Sequence, residues 1–405
     1  MVRNMKRFWE KQNIKTAYDM IIIGGGLHGL AAAYFLARDH GITNVAVIEK
    51  NCIGYGGSGR NTCIVRADQR TSDSVLLHKE ALDLWPQLID ELDYNLMFSQ
   101  SGSLGIVHSE DAYNELQLST FNANYHGLAT SMLDAKECKE IIPELDISST
   151  AVRPVLGGQY HDPAGTVRHD AVVWALARGA SRLGIHIHQQ CEIKGIRTRN
   201  NEVVGVETSL GVINTKKVLN AGGGFSPQIA AMIDQKLPIT VLQMEAMVSE
   251  PLKPFLNVVF FSFDYHCFGS QSLRGEIVTG SQMDPWPTYT SHASAQYIHH
   301  QALYLAAIMP CLKAAKFMRI WAGLTDMTPD MAPIMEGNYP VKGYFLDAGW
   351  GYFGFKSGPI AGRYMARYMA TDERPRTIEP FNLRRYENYR FLGESGLPIC
   401  YGPWN

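Results

Sequence analysis

From residue 19 the chain sets a short run of branched apolar residues, 20–23 (MIII), before a glycine-rich turn. A stretch of helical period over 28–39 follows, and then a second apolar run at 45–48 (VAVI). Short apolar runs on either side of a helical pattern predict a strand–helix–strand unit with both strands buried. The apolar stretch 20–37 has the length of a membrane span, but three consecutive glycines and His28 interrupt it, so strand, turn and helix describe it better. Residues 71–91 carry Leu76, Leu77, Leu84, Trp85 and Leu88 at roughly helical spacing and predict a helix, with Pro86 as a point of breakage.

Between 99 and 160 short strand-like and helical pieces alternate, an insertion in which 133–144 (LDAKECKEIIPE) predicts a capped helix stopped before Pro143. An amphipathic helix is expected over 168–183, then a strand at 185–188, a hairpin over 193–206 turning at Asn200-Asn201, and a strand over 212–221. A second mixed block runs from 236 to 319, with strands at 258–261 and 276–280 and a helix at 293–309. Strand 344–348, glycine loop 349–358 and helix 360–370 repeat the grammar of the first unit. The order predicts two interwoven domains in an α/β chain. A Rossmann-type domain is expected from 18–98, 160–235 and 325–390, and a mixed-sheet substrate domain with α+β elements from 99–159 and 236–324. An N-terminal extension, 1–17, and a C-terminal tail, 391–405, flank them.

Length and composition agree with more than one core, since the chain has 405 residues of which 46% are hydrophobic. Lys and Arg total 37 against 39 Asp and Glu, so no global field favours nucleic acid or an acidic membrane surface. The seven cysteines are scattered, without a CxxC pair or zinc spacing, which points to a reduced, cytoplasmic chain. The basic start lacks the apolar core and cleavage site of a secretory signal. His299-His300 and the pair His186 and His188 lack converging carboxylates or cysteines, and no metal site is expected.

The turn after the first strand reads Gly24-Gly25-Gly26-Leu27-His28-Gly29, a G-x-G-x-x-G in the context that gives it meaning. Gly24 serves the tight turn, Gly26 lets backbone amides approach a pyrophosphate, and Gly29 packs the helix against the sheet. Glu49 closes the next strand about 20 residues beyond Gly29, where a carboxylate receives the adenosine ribose. These features predict a dinucleotide and leave FAD and NAD open, because both carry the same ADP half.

Three further segments carry a resemblance: 54–66 (GYGGSGRNTCIVR), 218–224 (VLNAGGG) and 347–362 (DAGWGYFGFKSGPIAG). They resemble the D-amino-acid-oxidase-like flavoenzymes, the group of glycine and sarcosine oxidases. Together with 164–180 (AGTVRHDAVVWALARGA), they are most similar to the beta subunits of heterotetrameric sarcosine oxidases and their relatives, N-methylglutamate dehydrogenases and heteromeric amino-acid dehydrogenases. The resemblance implies FAD, held by Arg60, Asn61 and Thr62 in the first segment, Ala221 and Gly222 in the second, and Gly351, Gly354 and Phe355 in the third. It also implies Arg66 and Lys356 as holders of a substrate carboxylate, with Arg60 a rival for the first role. A planar guanidinium grips a carboxylate at two points, and an ammonium adds a point charge.

The same resemblance makes His169 the candidate ligand of a second flavin, FMN, bound between this chain and a larger partner subunit, covalently in some relatives and not in others. Arg168 beside it would serve the FMN's negative charge. Monomeric relatives attach FAD to a cysteine ahead of a threonine–aspartate pair, and Gly323-Leu324-Thr325-Asp326 offers none, so FAD is expected to be non-covalent. Their oxygen-activating lysine is matched by Val278, which favours passage of electrons to the second flavin. The implied activity is oxidation of a secondary amine of the sarcosine or N-methylglutamate class. A heteromeric proline, hydroxyproline or opine dehydrogenase and a non-catalytic flavin-binding scaffold are the alternatives. Met283-Asp284-Pro285-Trp286 and the aromatic run 260–268 fit substrate-domain loops, with Tyr265 and His266 as candidates for the pocket wall.

Overall fold

β1 (Met20–Ile23) is buried along its whole length and pairs in parallel with β2 (Val45–Ile48) on one side and with Lys217–Asn220 on the other. A four-residue strand with no exposed face is what a parallel sheet covered by helices requires. The computed structural model describes residues 8–280, 283 and 285–394, so the outer parts of the extension 1–17 and the tail 391–405, together with Asp284, lie outside the described residues. The complete sheet runs Ile334–Gly337, Tyr344–Ala348, Lys217–Asn220, β1, β2, His186–His188, and it is parallel apart from the first strand.

α1 (Leu27–His40) leaves the glycine turn and packs against the helices Gly354–Thr371 and His169–Arg182. Its contact with the first is close enough that a Cβ on Gly362 would sit 2.5 Å from the Ala31 Cβ. The glycine is therefore a packing residue.

A second, eight-stranded sheet runs Phe317–Met327, Thr240–Pro251, Glu276–Gly280, Cys267–Gln271, Val259–Ser262, Ser103–Val107, Gly157–His161, Thr130–Asp134. It joins the segment read as an insertion to the later mixed block through the parallel pairing of Val259–Ser262 with Ser103–Val107. A small sheet carries the expected hairpin, Ile193–Arg199 with Glu202–Thr208, and its turn residues Asn200 and Asn201 have φ of 52° and 61°. Positive φ at both turn residues matches the twist of the strands they connect.

Three sequence expectations are corrected. The helix Ser72–Leu92 runs through Pro86 unbroken, because Leu77, Ala81, Leu84, Trp85, Leu88 and Leu92 bury one continuous face on both sides of it. The strand expected over 212–221 is two, Gly211–Asn214 and Lys217–Asn220, in different sheets, with the Thr215 hydroxyl bonding the Asp19 carbonyl at the crossing. The helix expected over 360–370 starts at Gly354, so Lys356 stands in its first turn and not in a loop.

Among the described residues no helix is long and apolar enough to cross a membrane. No group of three or more metal-ligating side chains converges among them. His186 and His188 instead bracket the Tyr18 hydroxyl, each ring nitrogen 3.0 Å from it.

Candidate active site

The glycine turn fixes one end of the site. Gly24 has φ +114°, and a Cβ there would stand 2.3 Å from the Ala221 carbonyl oxygen, so only glycine fits both backbone and space. α1 then begins at Leu27, whose amide donates to the Ser58 hydroxyl at 2.8 Å, while its N-cap, Gly26, brings no capping side chain, so the next amides of the turn remain oriented toward an anion. Gly29 lies behind the turn, where a Cβ would meet the Gly24 carbonyl at 2.1 Å. Glu49 accepts from the Gly25 amide at 2.8 Å and the Asn51 amide at 2.7 Å. A carboxylate has about four acceptor positions, so two remain for ribose hydroxyls.

From this end a cavity of about 460 Å³ runs into the molecule. Gly24, Gly26, Glu49, Ala221 and Gly222 line its start, and Arg60, Asn61 and Thr62 its flank. Gly351, Gly354, Phe355, Arg66 and Lys356 line its far part. Residues spread from position 24 to position 356 thus face one space, and the cradle at its mouth suits a pyrophosphate with an adjoining ribose. Of the aromatic candidates His266 lines the cavity, whereas Tyr265 packs on His108 and Tyr304 at ring distances of 5.1 and 5.2 Å.

Arg66 is the stronger of the two arginine candidates. Arg60 spends its guanidinium on the carbonyls of Tyr55 and Ala322, at 3.1 and 2.9 Å. Arg66 uses only Nη1, which donates to the Asp68 carbonyl at 3.1 Å and to its carboxylate at 2.8 Å, while the guanidinium lies 4.8 Å above the Phe261 ring. Its Nε is buried and has no hydrogen-bond partner among the described residues. An unpaired buried donor on a cavity wall is costly unless a ligand meets it. Burial raises the Asp68 pKa, but Arg66 and His161 outweigh it and hold the carboxyl below its ordinary value.

Lys356 is only 7% exposed and donates to the Tyr352 carbonyl at 3.3 Å, with the Phe353 ring centre 5.1 Å from Nζ. Burial, with Arg66 adding to it and Asp68 opposing both, pushes its pKa down to about 7. Behind it His78 donates from Nδ1 to the Ser74 carbonyl at 2.8 Å, and burial, with Lys356 adding to it, pushes this imidazole down to about 3. His78 is therefore neutral at physiological pH.

His169 and Arg168 stand apart from the cavity wall. His169 donates from Nε2 to the Gly59 carbonyl at 3.0 Å, and its Nδ1 has no hydrogen-bond partner among the described residues, with Asp170 Oδ1 3.9 Å away. Burial lowers its pKa, which leaves a neutral ring with a lone pair on Nδ1. Arg168 forks onto both carboxylate oxygens of Asp170, at 2.8 and 3.2 Å.

Sequence reasoning missed Asp68, which braces Arg66, and the pair His28–Asp347, which fastens the start of α1 to the strand Tyr344–Ala348. His28 was visible as the polar residue inside the fingerprint, and Asp347 as a lone acid ending an apolar strand. Nothing in the sequence joined them across their separation.

The sequence profile of the family described as FAD dependent oxidoreductase matches residues 19–368. Sarcosine oxidase subunit beta of Rhizobium meliloti (strain 1021) is 39% identical over 395 residues, covering 97% of this chain and 94% of that protein. The protein of the same name from Arthrobacter sp is 36% identical over 389 residues, covering 96% of each. Among solved structures, L-proline dehydrogenase from P. horikoshii superposes with a TM-score of 0.87 at 28% identity, covering 93% of this chain and 100% of that one.

Proposed function

Because this chain belongs to the FAD dependent oxidoreductase family, we propose that it binds FAD without a covalent bond and oxidises a secondary amine of the N-methyl amino acid class. Sarcosine and N-methylglutamate are the leading substrates. The observation that carries this reading is the presence of Arg66 and Lys356 on the wall of the same cavity that opens at the Gly24 turn. Bound FAD supplies a two-electron acceptor for the hydride on the carbon next to nitrogen.

The chain's own residues do the rest. Gly24, Gly26 and the amides of the first turn of α1 beyond Leu27 hold the pyrophosphate, and Glu49 holds the ribose. Arg66, braced by Asp68, turns its unpaired Nε to the substrate carboxylate, and Lys356 adds its charge. The Phe261 ring under the guanidinium excludes water from that contact and strengthens it. The segment 323–326 lines the cavity without a cysteine, which supports non-covalent FAD.

We assign His169 and Arg168 to an FMN site at the interface with a larger partner subunit. Their position off the cavity wall and a His169 Nδ1 without a hydrogen bond among the described residues support this, as do relatives named as subunits. A second reading, a dehydrogenase of proline or another cyclic amino acid, is favoured by the likeness to L-proline dehydrogenase. Both readings place a secondary amino acid in the same pocket.

Anaerobic titration of the purified protein with sarcosine, N-methylglutamate, proline and hydroxyproline tests the assignment. Bleaching of the flavin by one N-methyl amino acid well below the others is expected. Preferential bleaching by proline would favour the second reading. Failure of every amine to reduce the bound flavin would leave a flavin-binding scaffold, a role that the pairing of Arg66 with Lys356 argues against.

A further inference from the structure

An amino acid reaches this cavity as a zwitterion, and hydride departure from the carbon next to nitrogen needs the nitrogen lone pair. One proton must therefore leave the substrate ammonium first. We infer that Lys356 is the base that takes this proton, so that it becomes cationic as it receives the substrate carboxylate. This inference rests on the proposed amino acid substrate.

Three features of the site work against a charged Lys356 before substrate arrives. The side chain is buried, and Nζ donates to a backbone carbonyl, that of Tyr352 at 3.3 Å. It stands in the first turn of the helix Gly354–Thr371, where the amide end carries partial positive charge. The charged groups acting on it are Arg66, Asp68 and His78. Of these Asp68 is already spent on Arg66, and His78 is neutral. Burial, a neighbouring cation and the helix end all favour the neutral amine, in line with a pKa near 7.

A carboxylate placed between Arg66 and Lys356 reverses that balance, because it supplies the missing anion in a site of low dielectric. The substrate ammonium, brought into the same buried space beside Arg66, feels the opposite push. The transfer breaks one N–H bond on the substrate and forms one on Nζ. It needs no oxidant, and it leaves a neutral amine above a carboxylate held by two cations. Two acids on the wall are poorer acceptors, since Asp68 is paired with Arg66 and Glu245 already takes the Gln243 amide and the Ser294 backbone N–H.

Isothermal titration of the FAD-loaded protein with the carbon isostere of its best substrate, butyrate in the case of sarcosine, tests this. Butyrate brings a carboxylate but no proton. Run at about pH 8 in two buffers of different ionisation enthalpy, the titration should show uptake of close to one proton per butyrate bound, and uptake should vanish below about pH 6. Lys356→Met and Lys356→Arg should both abolish the uptake, the second because arginine stays charged throughout. Binding of butyrate with no linked proton at pH 8, or with uptake unchanged in Lys356→Met, overturns the inference and leaves the proposed function standing. A protein that neither binds the isostere nor is reduced by any secondary amino acid overturns both.

Discussion

His28 Nδ1 lies 2.9 Å from Asp347 Oδ2, while Nε2 of the same ring lies 2.8 Å from the Gly354 carbonyl oxygen. A carbonyl can only accept, so Nε2 carries a proton, and the carboxylate opposite Nδ1 favours a second. The acid also accepts from Trp350 Nε1 at 2.5 Å. Burial works against the charged imidazole, but the attraction and hydrogen bond of Asp347 prevail, and the His28 pKa is raised above the ordinary 6.5. The ring thus ties the start of α1 to the strand Tyr344–Ala348 and to the start of the helix Gly354–Thr371, and both helix starts line the cavity.

His28→Ala should therefore lower stability by about 3 kcal/mol, the effect of leaving a buried partner unpaired. It should also reduce the flavin retained through gel filtration. A raised histidine pKa stabilises the fold fully below the ordinary value of 6.5 and loses that contribution as pH climbs through the folded-state value. The melting temperature of the wild type should consequently fall faster above pH 6.5 than that of His28→Asn. Parallel pH profiles for the two proteins would show that the ring is neutral.

Glu49→Gln addresses the other end of the cavity. The carboxylate accepts two backbone amides, at 2.8 and 2.7 Å, and keeps capacity for the ribose. Replacing charged by neutral acceptors weakens such bonds by roughly 1–1.5 kcal/mol, so the FAD dissociation constant should rise about tenfold. Quenching of flavin fluorescence on titration of the apoprotein measures it.

The glycine turn, its acid and the helix at His169 were legible because each is a local pattern: a period, a spacing, a cap. Gly354, Gly358 and Pro359 misled for the same reason. Locally they spell a loop, but they lie in a helix whose glycines accept Leu27 and Ala31 of α1 at close range. Pro86 gave a false break because the buried face on both sides of it outweighs one missing backbone hydrogen bond. Asp68 was two residues from Arg66 in plain view, yet only the fold shows that it braces the guanidinium and leaves Nε free. What could not be read was contact at long range.

Arg66→Lys keeps a cation and loses the planar fork, and it also keeps a partner for the buried Asp68. With the fold thus preserved, loss of one charge-assisted pair of about 1.5–3 kcal/mol should raise the apparent KM more than tenfold. Arg66→Ala should do at least as much, with added instability from the unpaired Asp68 that the double variant Arg66→Ala/Asp68→Asn relieves. Steady-state kinetics with flavin content measured in each sample separates the two effects. An unchanged KM at full flavin content would remove Arg66 from the substrate site.

His169 offers a test that does not depend on turnover. Its Nε2 is committed to the Gly59 carbonyl at 3.0 Å, while Nδ1 has no hydrogen-bond partner among the described residues and keeps its lone pair because burial outweighs Asp170, 3.9 Å away, and lowers the pKa. A neutral imidazole nitrogen is nucleophilic, whereas a protonated one is not. If FMN is attached here, a flavin-fluorescent band should survive denaturing electrophoresis of the wild type and vanish in His169→Ala, while the non-covalent FAD is released from both. Absence of the band with two flavins released per chain would assign the FMN to a non-covalent site. Release of one would leave His169 as a residue that merely anchors its helix to Gly59.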